Sequence, residues 1–167
     1  TKLVKYYENH SKKYVATIKI GLKTDMDDIT GKVIGEASTE GITEEQIKET
    51  LDTFLGKQKQ IPPIYSAVKI KGKKLYELAR RDFIIPDIEP REVEVFSFED
   101  FSILERNQYI TFQVTIHVSK GTYIRAIARD LGEILGCFGT LEELNRIEID
   151  KFKIEDAISL EDLQEGK

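Results

Sequence analysis

Residues 109–136 read YITFQVTIHVSKGTYIRAIARDLGEILG and contain the two clearest elements of the chain. Residues 109–118 alternate between polar and apolar side chains, which is typical of a strand with one buried face. After Gly121, apolar residues recur at helical spacing to the end of the stretch. The sequence therefore predicts a strand, a corner and a helix, with Tyr123 and Arg125 in the first helical turn.

The rest of the chain alternates between strand-like and helix-like segments. Strands are predicted at residues 13–20, 32–37, 64–70, 91–104 and 147–152. Helices are predicted at residues 1–10, 73–81, 141–147 and 159–163. A further helix is predicted to start at a capping box at Thr43 and to end at Gly56, and another to follow Thr122 as its N-cap. This order indicates one α+β domain over residues 1–167, with a mixed, mostly antiparallel sheet and flanking helices.

Composition narrows the class of protein. The net charge of −5 argues against a general nucleic-acid coat, since non-specific affinity comes mostly from Lys and Arg. No apolar run is long enough to span a bilayer, so no membrane partner is expected. The single cysteine, Cys137, lies in an apolar setting and is interpreted as a buried hydrophobe, which fits a reducing, cytoplasmic compartment.

No metal or cofactor site is predicted. His10, His117 and Cys137 lack the spacing of a ligand set. The acidic loop at residues 25–31 resembles a calcium loop, but Gly31 falls one residue late for an EF-hand. The sequence also contains no phosphate-binding loop, dinucleotide fingerprint or nucleophile elbow.

Four lysines form the most basic segment of the chain, at Lys69, Lys71, Lys73 and Lys74. Lysine-rich segments are usually solvated faces. The alternative is a ridge that contacts phosphates, because Tyr76 and other tyrosines are interleaved with these cations as on nucleic-acid surfaces.

Tyr123 and Arg125 also allow two interpretations. Tyr123 is either an aromatic residue packed on the sheet or a flat face for a base. Arg125 is either half of a surface ion pair or a fixed planar cation that can hold a carboxylate in a fork. A strand end that leads into a helix is a common place for a cleft, which favours the functional interpretation.

Three long blocks resemble the TruB-type tRNA pseudouridine synthases. They are KKYVATIKIGLKTDMDDITGKV, IPPIYSAVKIKGKKLYELARR and VSKGTYIRAIARDLGEILGC, and they keep the family's order over nearly all of residues 13–147. The resemblance implies a cofactor-free isomerisation of the T-loop uridine of tRNA. In that family a catalytic aspartate attacks the nucleotide, the glycosidic bond breaks, and the uracil turns and rejoins through carbon. The base is flipped out of the RNA beforehand.

The resemblance also implies roles for individual residues. Tyr14 matches the active-site tyrosine that stacks on the target base, and Tyr123 matches the second pocket tyrosine. Arg125 matches the arginine that pairs with the catalytic aspartate. Asp28 matches an aspartate on the substrate-binding side, and Leu144 matches an apolar residue that lines the pocket. The implied partner is the T-arm stem-loop of tRNA, with no obligatory protein partner.

The sequence departs from the family pattern in two places. The catalytic aspartate belongs to a G-x-L-D-P-x-A-T-G block upstream of the first matched block, and no such block occurs here. The chain is therefore expected to be a partial catalytic domain, inactive alone and without an RNA-binding C-terminal domain. Near Gly139 the family's usual His is absent, and Asn145 replaces an arginine. A non-catalytic RNA-binding or tRNA-folding module on the same scaffold is the alternative, and a protein-interaction domain is a third.

Overall fold

The computed structural model describes residues 11–63, 69–70, 73–74 and 89–147. Nine strands and two helices lie in these ranges. In chain order they are β1 (Ser11–Ile20), β2 (Leu22–Thr24), β3 (Val33–Glu36), α1 (Glu44–Asp52), β4 (Gly56–Gln60), β5 (Lys69–Ile70), β6 (Lys73–Lys74), β7 (Arg91–Arg106), β8 (Ile110–Ser119), α2 (Ile124–Leu135) and β9 (Gly139–Ile147).

A five-stranded sheet in the order β4-β7-β8-β1-β9 organises the fold, and all its neighbouring strands are antiparallel. Two short hairpins, β2-β3 and β5-β6, form separate two-stranded sheets. The predicted α+β class with a mostly antiparallel sheet is confirmed.

The core lies between one face of this sheet and the two helices. The alternating apolar residues of β8 face it, and Phe112 and Ile116 are fully buried. Register places Ala16 and Ile18 of β1 beside Val114 and Phe112, on the same face. The apolar stripe of α2 covers this face and is part of the same buried cluster. The strand–corner–helix stretch therefore supplies much of the core by itself.

The predicted capping box of α1 is confirmed. Gln46 N donates to Thr43 Oγ1 over 3.1 Å, and Thr43 N donates to Gln46 Oε1 over 2.8 Å. The predicted end of this helix is wrong, because the C-cap is Thr53 and Gly56 already belongs to β4. The apolar spacing continues past the end of the helix because Phe54, which lies in the turn after it, is also buried in the core.

A helix near residues 141–147 is not formed, because this segment is strand β9. A bulge explains the misleading spacing. The register opposite β1 shifts between Thr17 and Ile18, so Leu141 lies opposite Ile18 and Leu144 lies opposite Ala16. Two residues three apart in sequence therefore share one face of the sheet, as they would on a helix.

Two further local predictions are wrong. Lys73 and Lys74 do not begin a helix, since they pair with Ile70 and Lys69 in the β5-β6 hairpin. Thr122 is not the N-cap of α2, which begins after Tyr123 as N-cap. The helices predicted at residues 1–10 and 159–163 lie outside the described residues.

Candidate active site

One end of each of the five strands of the sheet lies at the same edge of the molecule. Ser11 at the start of β1 lies opposite Ser119 at the end of β8, and Lys13 lies opposite Ile147 at the end of β9. Gln60 at the end of β4 lies opposite Arg91 at the start of β7. Because α2 follows β8, its first turn begins at this same edge. The predicted tyrosines and Arg125 thus belong to elements that converge here.

Tyr14 and Leu144 share a face of the sheet. Tyr14 lies opposite Ile116 on β8 and Arg146 on β9, whereas Leu144 lies opposite Ala16. The two predicted site residues are therefore diagonal neighbours on adjacent strands, close enough for a long side chain to bridge. Tyr14 is half-buried against the core, and Leu144 is exposed. This is the surface at which the core face of the sheet opens to solvent.

The corner between β8 and α2 is built by local contacts. Gly121 adopts a φ of +86°, which glycine tolerates without strain. The hydroxyls of Ser119 and Thr122 lie 3.1 Å apart, within hydrogen-bond distance. Tyr123 has extended backbone and provides no side-chain cap for the helix. Instead, both of its backbone polar groups bond to the side chain of Gln60.

Arg125 connects the first turn of α2 to the acidic loop at residues 25–31. Its Nη1 donates to the carbonyl oxygen of Met26 over 3.2 Å. Asp28, in the same loop, accepts from the backbone N of Thr30 over 3.0 Å and from its hydroxyl over 2.5 Å. The structure thus brings the segments of Arg125 and Asp28 together, while the Asp28 carboxylate itself stabilises the turn of its own loop.

A largely buried ion pair lies one helical turn beyond Arg125. Arg129 Nη1 is 3.5 Å from Asp27 Oδ2, its Nε donates to Asp130 over 2.9 Å, and its Nη2 donates to the carbonyl oxygen of Ile61 over 2.8 Å. Burial raises the pKa of the Asp27 carboxyl above its ordinary value, against the opposing effect of Arg129. Arg129 therefore ties the acidic loop and the segment after β4 to α2.

The acidic loop joins β9 as well. Leu141 N donates to the carbonyl oxygen of Asp27 over 3.0 Å, and Ile29 N donates to the carbonyl oxygen of Leu141 over 2.8 Å. Asp27 itself adopts a φ of +63° at the point where the loop turns. Contacts with both α2 and β9 fix this loop beside the strand that carries Leu144.

The lysine segment is described only in part. Lys69, Lys73 and Lys74 lie on the β5-β6 hairpin, and Lys71 lies outside the described residues. An open groove of about 660 Å³ at the opposite end of the sheet is lined by residues 36–41 and 106–109 and includes none of the predicted site residues.

The described residues contain no group of three or more His, Cys, Asp or Glu side chains that could hold a metal ion. Cys137 is 1% exposed, and burial raises the pKa of its thiol to about 11, which confirms its interpretation as a buried hydrophobe. Among the residues that the structure describes, no helix is long and apolar enough to cross a membrane.

Sequence reasoning missed two groups at this edge, Gln60 and the Asp27–Arg129 pair. The signal for Arg129 was available, because it follows Arg125 by four residues and so lies on the same face of the helix. Gln60 offered no local signal, since its partner is 63 residues away in sequence.

Two family models match adjacent parts of the chain. "TruB family pseudouridylate synthase (N terminal domain)" matches residues 1–124, and "tRNA pseudouridylate synthase B C-terminal domain" matches residues 125–167. The boundary between them falls inside α2. In the described residues, β9 belongs to the same sheet as the N-terminal strands, and both α2 and β9 contribute to the same core.

Curated relatives match nearly the whole chain. The tRNA pseudouridine synthase B of Microcystis aeruginosa is 44% identical over 163 residues, which are 98% of this chain and 55% of the relative. That of Clostridium tetani is 42% identical over 166 residues, which are 99% of this chain and 55% of the relative. The chain thus spans about half the length of the curated relatives it matches.

A solved structure shows the same fold. The match is to a chain in the crystal structure of a Cbf5-Nop10-Gar1 complex, with a TM-score of 0.50 and 24% identity, over 83% of this chain and 30% of that chain. The antiparallel sheet and the helix across its core face define an α+β protein that shares its fold with that chain. Within that class, the family model over residues 1–124 shows that the chain belongs to the TruB family of pseudouridylate synthases.

Proposed function

We propose that this chain forms the body of the catalytic domain of a tRNA pseudouridine synthase that isomerises the T-loop uridine. The observation that carries this proposal is that β1, β9 and the start of α2 meet at one edge of the sheet in a member of this family. These elements carry Tyr14, Leu144, Tyr123 and Arg125. A base must leave its stack before an enzyme can reach its glycosidic bond, so a site of this kind needs flat and apolar surfaces.

The proposed roles follow from side-chain chemistry. Tyr14 stacks on the flipped uracil, Leu144 supplies apolar contact, and Tyr123 bounds the pocket from the helix. Arg125 holds the attacking carboxylate, because a planar, permanently charged guanidinium fits a carboxylate with two parallel hydrogen bonds. The reaction rearranges one molecule without adding or removing atoms, so it needs no net oxidant or reductant, and we propose that no cofactor takes part.

The proposed substrate is the T-arm stem-loop of tRNA, and the proposed compartment is the cytoplasm. Asp28 and the four lysines at positions 69, 71, 73 and 74 are proposed contacts to the RNA around the flipped base. We also propose that residues 1–167 act as one unit, because the described parts matched by both family models share one core.

The test is an assay for pseudouridine in T-arm stem-loop RNA by mass spectrometry. The chain is assayed by itself and with the aspartate-containing block of a relative attached ahead of Thr1. Isomerisation that requires the attached block and Tyr14 supports the proposal. If the extended protein leaves the RNA unmodified but binds it, the scaffold is an RNA-binding module. If neither protein binds RNA, the protein-interaction class is favoured.

A further inference from the structure

The side chain of Gln60 makes a two-point contact with the backbone of Tyr123. Its Oε1 accepts from Tyr123 N over 2.9 Å, and its Nε2 donates to the carbonyl oxygen of Tyr123 over 3.1 Å. Gln60 is 4% exposed, so these bonds are made away from water. A carboxamide presents one donor and one acceptor side by side, as a neighbouring strand does. The end of β4 therefore binds the corner residue as a sheet partner would.

This contact falls where the helix has no other side-chain cap. Tyr123 is the N-cap of α2, and no cap hydrogen bond comes from its own side chain. Its carbonyl oxygen also accepts from Ala126 N and Ile127 N, so the first turn of the helix is joined to the same atom that Gln60 holds. Fixing the backbone of Tyr123 thus fixes the starting direction of α2 and, two residues later, the position of Arg125.

A second contact reinforces the same junction. Arg129, one turn along α2 from Arg125, donates to the carbonyl oxygen of Ile61, the residue directly after Gln60. The end of β4 is therefore bonded to α2 at its first and second turns. The alignment of the Tyr123 ring and the Arg125 guanidinium is set by this junction as well as by the apolar packing of the helix.

We propose that Gln60 is a positioning residue that holds Tyr123 and Arg125 in the geometry required for uridine isomerisation. This inference rests on the proposed function for its catalytic consequence. Its structural part, the orientation of Tyr123 by the carboxamide, is independent of that function.

The chain offers a matched control. Gln58 lies on the same strand and the same face as Gln60, since side chains two apart in a strand point the same way. It is partly buried, and its Nε2 donates to the carbonyl oxygen of Phe54, away from the corner. Gln58→Met and Gln60→Met therefore remove the same group from the same strand.

In the active, extended protein, we expect Gln60→Met to lower kcat for T-arm RNA by about 10-fold to 100-fold, because small displacements of reacting groups are costly. KM is expected to change less than threefold, and Gln58→Met is expected to keep kcat within about twofold. Equal losses of kcat in the two variants, or a loss confined to KM, would overturn the proposal.

Gln60→Glu tests the donor directly. An ionised carboxylate accepts from Tyr123 N but cannot donate to its carbonyl oxygen, whereas a protonated carboxyl does both. Burial raises the pKa of a carboxyl, so the neutral form gains population as the pH falls from 8 to 5. We expect the ratio of variant to wild-type kcat to rise by about tenfold over this range. A flat ratio contradicts the donor role, and this variant serves as its own control for folding.

A measurement without catalysis separates this inference from the proposed function. Hydrogen exchange of the Tyr123 amide, followed by NMR in the 167-residue chain, is expected to be at least about tenfold faster in Gln60→Met than in wild type or Gln58→Met. Unchanged exchange in Gln60→Met refutes the positioning role. If the Tyr123 amide exchanges faster in Gln60→Met but the wild-type extended protein makes no pseudouridine, the positioning role is supported and the proposed function is refuted.

Discussion

Arg125 combines a fixed charge with a fixed backbone. It lies on the first turn of α2, next to the corner held by Gln60, and its Nη1 bonds to the carbonyl oxygen of Met26. A guanidinium presents its donors in a rigid planar fork, so a fixed backbone gives it a fixed orientation towards a nearby carboxylate. At the scale of single residues, the site depends on how such groups are oriented as well as on which groups are present.

Arg125→Ala is expected to lower kcat of the extended protein by about 10³-fold, because it removes the cation that we propose to hold the carboxylate. RNA affinity is expected to fall less than tenfold, since most binding comes from other contacts. Single-turnover assays and RNA titrations measure the two effects. Arg106→Ala is the control, because Arg106 donates to the carbonyl oxygen of Ile42 at the opposite end of the sheet. If Arg125→Ala keeps the kcat of the wild type, Arg125 has a structural role and no catalytic one.

His117 is one of the described residues from which a pH effect on stability is expected. Burial lowers the pKa of His117 below its ordinary value of 6.5, Lys13 acts in the same direction, and Glu99 opposes them. The unfolded chain therefore binds a proton at a higher pH than the folded one. The stability due to neutral His117 is present above pH 6.5 and is lost as the pH falls through the lower folded pKa.

His117→Gln is expected to reduce the fall in Tm between pH 7.5 and pH 5 relative to wild type, because the variant has no proton to gain at this position. The measurement is thermal unfolding by circular dichroism at several pH values. The other histidine of the chain supplies the control, His10→Gln. Parallel pH profiles for wild type and His117→Gln contradict the assigned burial effect.

Helix α2 is the element that connects the core to the site. Its apolar face is part of the buried cluster, and its first turn carries Arg125. It approaches the start of β9 very closely, because both sides of the contact are glycines. A Cβ on Gly132 would overlap the backbone of Phe138 and Gly139, and a Cβ on Gly139 would overlap the carbonyl oxygen of Ala128.

Gly132→Ala is expected to destabilise the protein by about 3 kcal/mol, because α2 must move away from β9 to accept the methyl group. The same substitution at an open helical position usually stabilises a protein by about 0.5–1 kcal/mol. The sign of the change in unfolding free energy therefore shows whether the methyl group meets β9. Gly41→Ala is the glycine control. Its φ of +85° and open surroundings predict a cost of only about 1 kcal/mol. Urea unfolding compares the two, and stabilisation by Gly132→Ala would show that the helix is not seated on β9.

At the scale of elements, prediction from sequence succeeded where one periodicity dominated. β8, β1 and α2 were predicted because their apolar residues repeat at period 2 or 3.6 against a single buried face. β9 was misread because the bulge opposite Thr17 and Ile18 sets Leu141 and Leu144 three residues apart on one face of a strand. The lysine segment at residues 73–74 was misread because two-residue strands are too short to show a period.

At the scale of the whole molecule, charge distribution bears on the proposed RNA binding. The net charge of −5 opposes general attraction to phosphates, so affinity has to come from local clusters of cations. The β5-β6 hairpin carries three of the four clustered lysines, Lys69, Lys73 and Lys74. We expect this hairpin to be an RNA contact surface.

The double variant Lys73→Gln/Lys74→Gln is expected to weaken T-arm RNA binding and to reduce the slope of log K against log salt by about 1–2, if each lysine neutralises a phosphate. Fluorescence anisotropy from 50 to 200 mM salt measures this slope. Lys57→Gln/Lys59→Gln removes the same charge from exposed positions on β4 and is the control. An equal change in both variants would show that net charge, and not the hairpin, sets the affinity.

The sequence by itself determined the α+β class, the strand–corner–helix stretch and the family, because alternation, helical stripes and the long matched blocks are all properties of continuous segments. The tertiary structure decided which segments meet. Gln60 binds Tyr123 across 63 residues, and Arg129 pairs with Asp27 across 102. Such contacts leave no periodic signal, since each partner's local pattern is satisfied without the other. Strand pairing likewise places Tyr14 beside Leu144, because the backbone N–H and C=O groups of β1 find their hydrogen-bond partners on β8 and β9.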